Sequence, residues 1–248
     1  MKYKKGSMTG LAVIIIIIAG LIAIILYQKN SSHSELANRI FSMGGNNQGT
    51  SIADLKVNIA KYERRMDRHV RDAVQTGVYW KILAVRLQDR GLHGEALEAL
   101  ERAIHFTPED PALHYFTGAS AGIVAKSIHL FPGVESVERQ RYFDLAEDAY
   151  LTAIELDSRY TRPLYGLGVL YVFELDRPLD AIPYLERCLE LSPANVDTMF
   201  VLARAFFMLN RYPEAINLYD RIISLTKDEQ KRIEAQYNRQ LAMDRMYG

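Results

Sequence analysis

The 248-residue chain holds one cysteine, Cys188, and no excess of either charge, with 30 basic and 30 acidic side chains. A lone thiol excludes an internal disulfide framework and a four-cysteine zinc site. Balanced charge removes any global pull toward nucleic acid. The histidines show no H-E-x-x-H or comparable metal spacing and read as scattered surface or core residues. Runs of alternating apolar and polar residues, the mark of half-buried strands, are also missing. Neither a metal nor a cofactor is expected.

What is present begins with an apolar run. "LAVIIIIIAGLIAIILY", residues 11–27, carries no charge, and twelve of its residues are Leu, Ile or Val. As a helix it rises roughly 25 Å, and about 30 Å with Met8 to Gly10 included, which is the thickness of a bilayer core. A cleaved signal peptide is the rival reading. Against it, the run is long, and the nearest small-x-small sequence, Ser32-His33-Ser34, lies far downstream. Lys2, Lys4 and Lys5 precede the span and only Lys29 follows closely. The positive-inside bias therefore keeps residues 1–10 cytoplasmic and puts the remainder outside. Residues 28–50, with "QKNSSHS" and "GGNNQGT", read as a flexible tether.

Beyond the tether, one phrase recurs. "GEALEALERAIHFTPED" (94–110) and "LDAIPYLERCLELSPAN" (179–195) share an alanine, a leucine four residues on, a small residue three further and a proline five beyond that. Aligned on the alanine, the set is Ala96, Ala146, Ala181 and Ala215, followed by Leu100, Tyr150, Leu185 and Tyr219, then Ala103, Ala153, Cys188 and Ile222. A second helical phrase precedes each, with packing positions Trp80/Leu83/Ala84/Leu87, His114/Thr117/Gly118/Ala121, Leu164/Leu167/Gly168/Tyr171 and Met199/Leu202/Ala203/Phe206. Small residues let two helices approach closely, large ones fill the space beside them, and the proline ends each unit.

This grammar resembles the tetratricopeptide repeat, a 34-residue helix–turn–helix unit. The resemblance covers residues 77–227 as about four repeats and implies an all-α solenoid, since one hairpin cannot bury its apolar faces alone. The third repeat carries one extra residue, around "DRPLD" (176–180). The second departs most. It has His114 and Thr117 where larger apolar residues are usual, and 16 extra residues that predict a protruding hairpin with "FPG" (131–133) at its tip.

Two helices flank the repeats. The first, 51–76, opens with the capping-box pair Ser51 and Asp54 and carries Ile52, Leu55, Ile59, Tyr62, Met66, Val70 and Ala73 at three- and four-residue steps. It is expected to cap the first repeat, with a coiled-coil dimer seam as the alternative. Its basic residues, Lys61 to Arg71, are diluted by acids and read as a solvated face, with contact to anionic lipid the alternative. The second, 228–248, with Ile233, Tyr237, Leu241 and Met246 as its apolar stripe, is expected to be a solvating end helix.

In the family resembled, the first helices line a concave groove that holds peptides or partner helices. The corresponding positions here include Lys81, Val85, Tyr115, Arg162, Tyr165, Val172, Phe200, Arg204 and Phe207. Aromatic platforms with three cations suit an apolar peptide bearing some negative charge. Filling of the groove by the second-repeat hairpin or the end helix is the alternative. A chaperone-type carboxylate clamp is disfavoured, because Val85 and Phe116 stand where asparagine is needed and Gly166 replaces a basic residue. "GASAG" (118–122) formally matches the nucleophile elbow of hydrolases. That chemistry needs a strand-to-helix turn above a sheet, whereas Ser120 falls in a predicted helix.

The sequence thus predicts a non-enzyme. It is a membrane-anchored tetratricopeptide solenoid that binds a protein or peptide partner as an adaptor, on the extracytoplasmic side of a bacterial inner membrane. A structural subunit of a large envelope assembly, such as a secretion or flagellar collar, acting as a homo-oligomer, is the alternative.

Overall fold

The structure is a computed structural model that describes residues 52–128 and 135–248. Every described element is helical: α1 (Ile52–Asp89), α2 (His93–Phe106), α3 (Pro111–Ile128), α4 (Glu135–Leu156), α5 (Thr161–Val169, continued by a π-helical segment Leu170–Glu174), α6 (Pro178–Leu191), α7 (Val196–Met208), α8 (Tyr212–Leu225) and α9 (Glu229–Tyr247). The expected transmembrane span 11–27, the tether 28–50 and the hairpin tip 131–133 lie outside the described residues. Among the described residues, no helix is long and apolar enough to cross a membrane. The chain divides into two compact units, Met1–Met66 and Asp67–Gly248, and the solenoid belongs to the second.

The repeat grammar becomes a stacking order. Within repeats α3 packs on α4, α5 on α6 and α7 on α8. Each second helix also packs on the next first helix, giving α2–α3, α4–α5, α6–α7 and α8–α9, while α3, α5 and α7 neighbour one another in line. The four aligned alanines are all fully buried, and Leu100, Tyr150, Leu185 and Tyr219 lie in the core beside them. The second-repeat helices are the long pair, with α3 and α4 at 18 and 22 residues against 14 for α6 and α8.

Glycine shows how tightly the helices are keyed. A β-carbon on Gly168 of α5 would stand 2.6 Å from Leu185 Cγ on α6, well inside contact distance. Tyr150 of α4 lies between two such slots: β-carbons on Gly118 of α3 and Gly166 of α5 would stand 2.7 Å from its Cδ1 and 2.8 Å from its Cζ. One ring is thereby locked against the first helices of two successive repeats. The turns repeat as well. Gly91, Asp176 and Asn210 each adopt positive φ, at 75°, 52° and 59°, in the link between the two helices of their repeats. Glycine meets no Cβ penalty there, and Asp and Asn are the side chains that best tolerate it.

Three expectations need correction. First, no break separates a capping helix at 76 from the first repeat: α1 runs continuously from Ile52 to Asp89. Gly77 sits buried inside it, with Phe106 Cβ 2.9 Å from where its own β-carbon would be, so the glycine serves close helix approach and not a turn. Among the described residues nothing covers this face of the first repeat, and Tyr79, Ile82 and Leu83 are exposed. Leu83 is therefore not a packing position.

Second, the extra residue of the third repeat sits in the π segment and not around 176–180. There Leu175 N donates to Leu170 O at 3.1 Å, an i→i−5 bond that absorbs one residue without breaking the helix.

Third, the apolar stripe expected on α9 is largely exposed at Ile233, Tyr237 and Met246, whereas Ala235 and Ala242 are buried. Ile233 and Tyr237 follow Met199 and Ala203 by one 34-residue period, the positions that face the second helix of the same repeat. Among the described residues nothing follows α9 to cover them.

Over-packing in a core costs about 1–3 kcal/mol, against a helix-propensity gain of about 1 kcal/mol for Gly→Ala. Gly168→Ala should therefore lower the unfolding free energy by up to about 2 kcal/mol. Gly94→Ala, where a β-carbon meets nothing within 4 Å, should be neutral or stabilising. Urea denaturation followed by circular dichroism checks both.

Candidate partner-binding groove

The first helices α3, α5 and α7 place their second, fifth, ninth and twelfth residues on one face, because those steps return to the same side of a helix. Two cavities of about 280 Å³ each open there. The first is lined by Tyr115, Ile123, Lys126, Tyr150, Arg162, Tyr165 and Val169, among others. Tyr115 organises it, with ring centroids 6.2 Å from Tyr150 and 5.6 Å from Tyr160, and the Arg162 guanidinium 6.0 Å over its ring. At the far end Lys126 pairs with Glu174 at 3.0 Å, joining α3 to the π segment. The second cavity is lined by Phe173, Phe200, Arg204, Phe207 and Tyr219, together with Glu234, Asn238 and Leu241 from α9. The Arg204 guanidinium lies 5.7 Å over the Phe207 ring, and Phe200 lies 6.3 Å from Tyr219.

Of the expected groove residues, Tyr115, Arg162 and Tyr165 come together in the first cavity and Phe200, Arg204 and Phe207 in the second. Three stand elsewhere. Val172 is buried at 3% exposure, because the π segment rotates the chain and presents Phe173 in its place. Lys81 is tied to Asp110 at 2.6 Å, in the loop that leads into α3, so its charge is already neutralised. Val85 is half-buried and lines neither of these two cavities. Ser120 is fully buried in α3; its Oγ accepts from Gln88 Nε2 at 2.7 Å, and His93 Nδ1 lies 3.4 Å away. A serine in that setting is a helix-packing residue.

The end helix was named as what could fill the groove, but the α9 residues that line it were not, although a signal for them exists. Adding one 34-residue period to Asp197, Phe200, Arg204 and Phe207 gives Lys231, Glu234, Asn238 and Leu241. Three of these line the second cavity, and Lys231 pairs with Asp197 at 2.6 Å. The end helix acts as the first helix of a further half repeat and walls the groove. The hydrogen bond to Asp197 is the chief cause that raises the Lys231 ammonium above its ordinary pKa.

The groove tyrosines are difficult to ionise. Burial pushes Tyr219 up to about 12, with Arg204 pulling it back in part and Glu234 adding to the rise. Burial raises Tyr150 further, helped by Tyr115, and raises Tyr165, helped by Asp197.

Against known proteins, residues 172–237 match the model of the tetratricopeptide repeat family. A TPR repeat-containing protein of Borreliella burgdorferi is 20% identical over 204 residues, 82% of this chain and 86% of its own. The crystal structure of YrrB, described as a TPR protein with an unusual peptide-binding site, superposes with a TM-score of 0.56 at 16% identity, covering 72% of this chain and 81% of that one. MamA residues 41 to the end, from Desulfovibrio magneticus RS-1, superposes with a TM-score of 0.53 at 15% identity, covering 69% and 95%. Residues 172–237 thus carry tetratricopeptide repeats, and the likenesses, with the helix order above, show an all-helical solenoid fold of the tetratricopeptide type.

A phenol whose folded pKa is raised binds its proton more tightly folded than unfolded. The unfolded chain then loses protons first, near pH 10, and stability falls as pH rises. Unfolding free energy should therefore decline between pH 10 and 12, and Tyr219→Phe should lessen the slope over that window. Denaturation midpoints at stepped alkaline pH check this.

Proposed function

We propose that this protein is a membrane-anchored, non-catalytic adaptor that holds a partner segment in the groove between α3, α5, α7 and α9. One observation carries the reading: two adjoining cavities on the first-helix face each combine aromatic rings with an exposed arginine, Arg162 in one and Arg204 in the other. Aromatic rings offer large contact area at low conformational cost, and a guanidinium at the rim reads carboxylates. The ligand that fits is an extended peptide with two apolar anchors and acidic residues near them. The similarity in fold to YrrB, described as having a peptide-binding site, supports a peptide ligand.

Anchoring rests on the apolar run 11–27. With Lys2, Lys4 and Lys5 ahead of it, it sets the solenoid on the extracytoplasmic side of a bacterial inner membrane. Residues 28–50 then form a tether of 23 residues. A structural subunit of a large envelope assembly is the second reading, and it is favoured by the exposed apolar stripe at the start of α1.

Crosslinked pull-down with Tyr165→Ala and Phe200→Ala should recover several-fold less partner, while Lys81→Ala, already paired within the chain, should leave recovery unchanged. Full recovery by both folded aromatic variants would sink the groove reading. Deleting residues 11–27 should move the chain from the membrane to the soluble fraction, and a C-terminal reporter active only outside the cytoplasm should be active.

A further inference from the structure

The start of α1 carries five large apolar side chains at heptad-like steps, Ile52, Leu55, Ile59, Tyr62 and Met66, and all five are between 42% and 74% exposed. Isolated exposed apolar residues need no explanation, but a continuous stripe along a helix is a surface awaiting a partner. The flanks of the stripe indicate which partner. With Leu55 and Tyr62 as d positions and Ile59 and Met66 as a positions, the e positions are Lys56 and Glu63 and the g positions are Asn58 and Arg65.

We infer that this stripe pairs with the same stripe of a second copy of the chain, in antiparallel orientation. Two antiparallel copies centred between Ala60 and Lys61 set Leu55 against the partner's Met66 and Ile59 against the partner's Tyr62. The two-fold axis repeats each layer. The same axis places Lys56 opposite the partner's Glu63 twice, and Asn58 opposite the partner's Arg65 twice. These two kinds of layer, four in all, are apolar, and each of these flanking charges meets an opposite or polar group, while Ile52 at the end of the stripe stands opposite the partner's His69 in the same register. A parallel pair in register instead stacks Tyr62 on Tyr62 and Met66 on Met66, sets Glu63 against Asn58, and forms no ion pair at these positions. Of the two directions, only the antiparallel one adds ion pairs to the apolar layers. Self-association through this seam is independent of the groove reading, since no groove residue takes part.

Disulfide trapping of the full chain in membranes tests both the contact and its direction. A mixture of Leu55→Cys and Met66→Cys chains, distinguished by tags of different size, should give a heterodimer band. Neither variant alone should crosslink, because antiparallel Leu55 positions lie about 16 Å apart along the axis, beyond disulfide reach. The native chain, whose Cys188 is buried, should give none. Lys56→Glu should cut the heterodimer yield several-fold, and adding Glu63→Lys should restore it. No crosslink in any combination, a homotypic crosslink by Leu55→Cys alone, or failure of the double charge reversal to restore the yield would each overturn the proposal.

Discussion

The insertion of one large side chain into a slot of missing side-chain volume on the facing helix is the contact on which the solenoid depends. Leu185 over Gly168, and Tyr150 against Gly118 and Gly166, leave no space for a single added carbon. Such contacts fix the separation of two helices and not merely their adjacency, because a helix interior packed to crystal density has no slack to redistribute. Tyr150 reaches first helices of two repeats at once, so the second repeat cannot shift without disturbing the third. The stack then behaves as coupled neighbours and not as independent hairpins.

The groove is a by-product of that keying. Once the first helices are held in line at fixed spacing, the residues on their free face form a continuous surface whose chemistry the packing leaves open. Tyrosine and phenylalanine with two arginines occupy it, and the π segment divides it: Phe173 lines one cavity while Leu170 and Glu174 line the other. An insertion of one residue that would have broken a short turn has instead been absorbed as a π segment, where it changes which side chain lines the groove. The Lys126–Glu174 and Lys231–Asp197 pairs brace the two ends of this face. Both are at least partly exposed, and they hold geometry more than they add stability.

The core was legible in the sequence because it is periodic. Ala96, Ala146, Ala181 and Ala215, with the large residues four positions on, could be found by spacing alone, and all lie in the core. Six of the nine expected groove residues line the two cavities because they ride on the same period. What escaped was whatever departs from the period or ends it. Val172 lost its place to a π insertion, which leaves no compositional trace. The continuity of α1 through Gly77 was hidden because glycine marks a turn and a close helix contact with the same letter. Lys81 was read as free since its partner, Asp110, is 29 residues distant in the chain. The groove residues of α9 escaped for a different reason: its polar composition suits an end helix, named only as what could fill the groove, and Glu234, Asn238 and Leu241 emerge as a wall only on counting another 34 residues.

The keyed contact can be tested by asking whether a glycine is needed only because of what stands over it. Gly118→Ala and Tyr150→Ala, measured singly and together by chemical denaturation, form the relevant double-mutant cycle. The account predicts that Gly118→Ala destabilises the native chain but becomes neutral or stabilising, by up to about 1 kcal/mol, once Tyr150 is alanine and the helix preference for alanine acts alone. Simple additivity, with Gly118→Ala equally costly in both backgrounds, would contradict it.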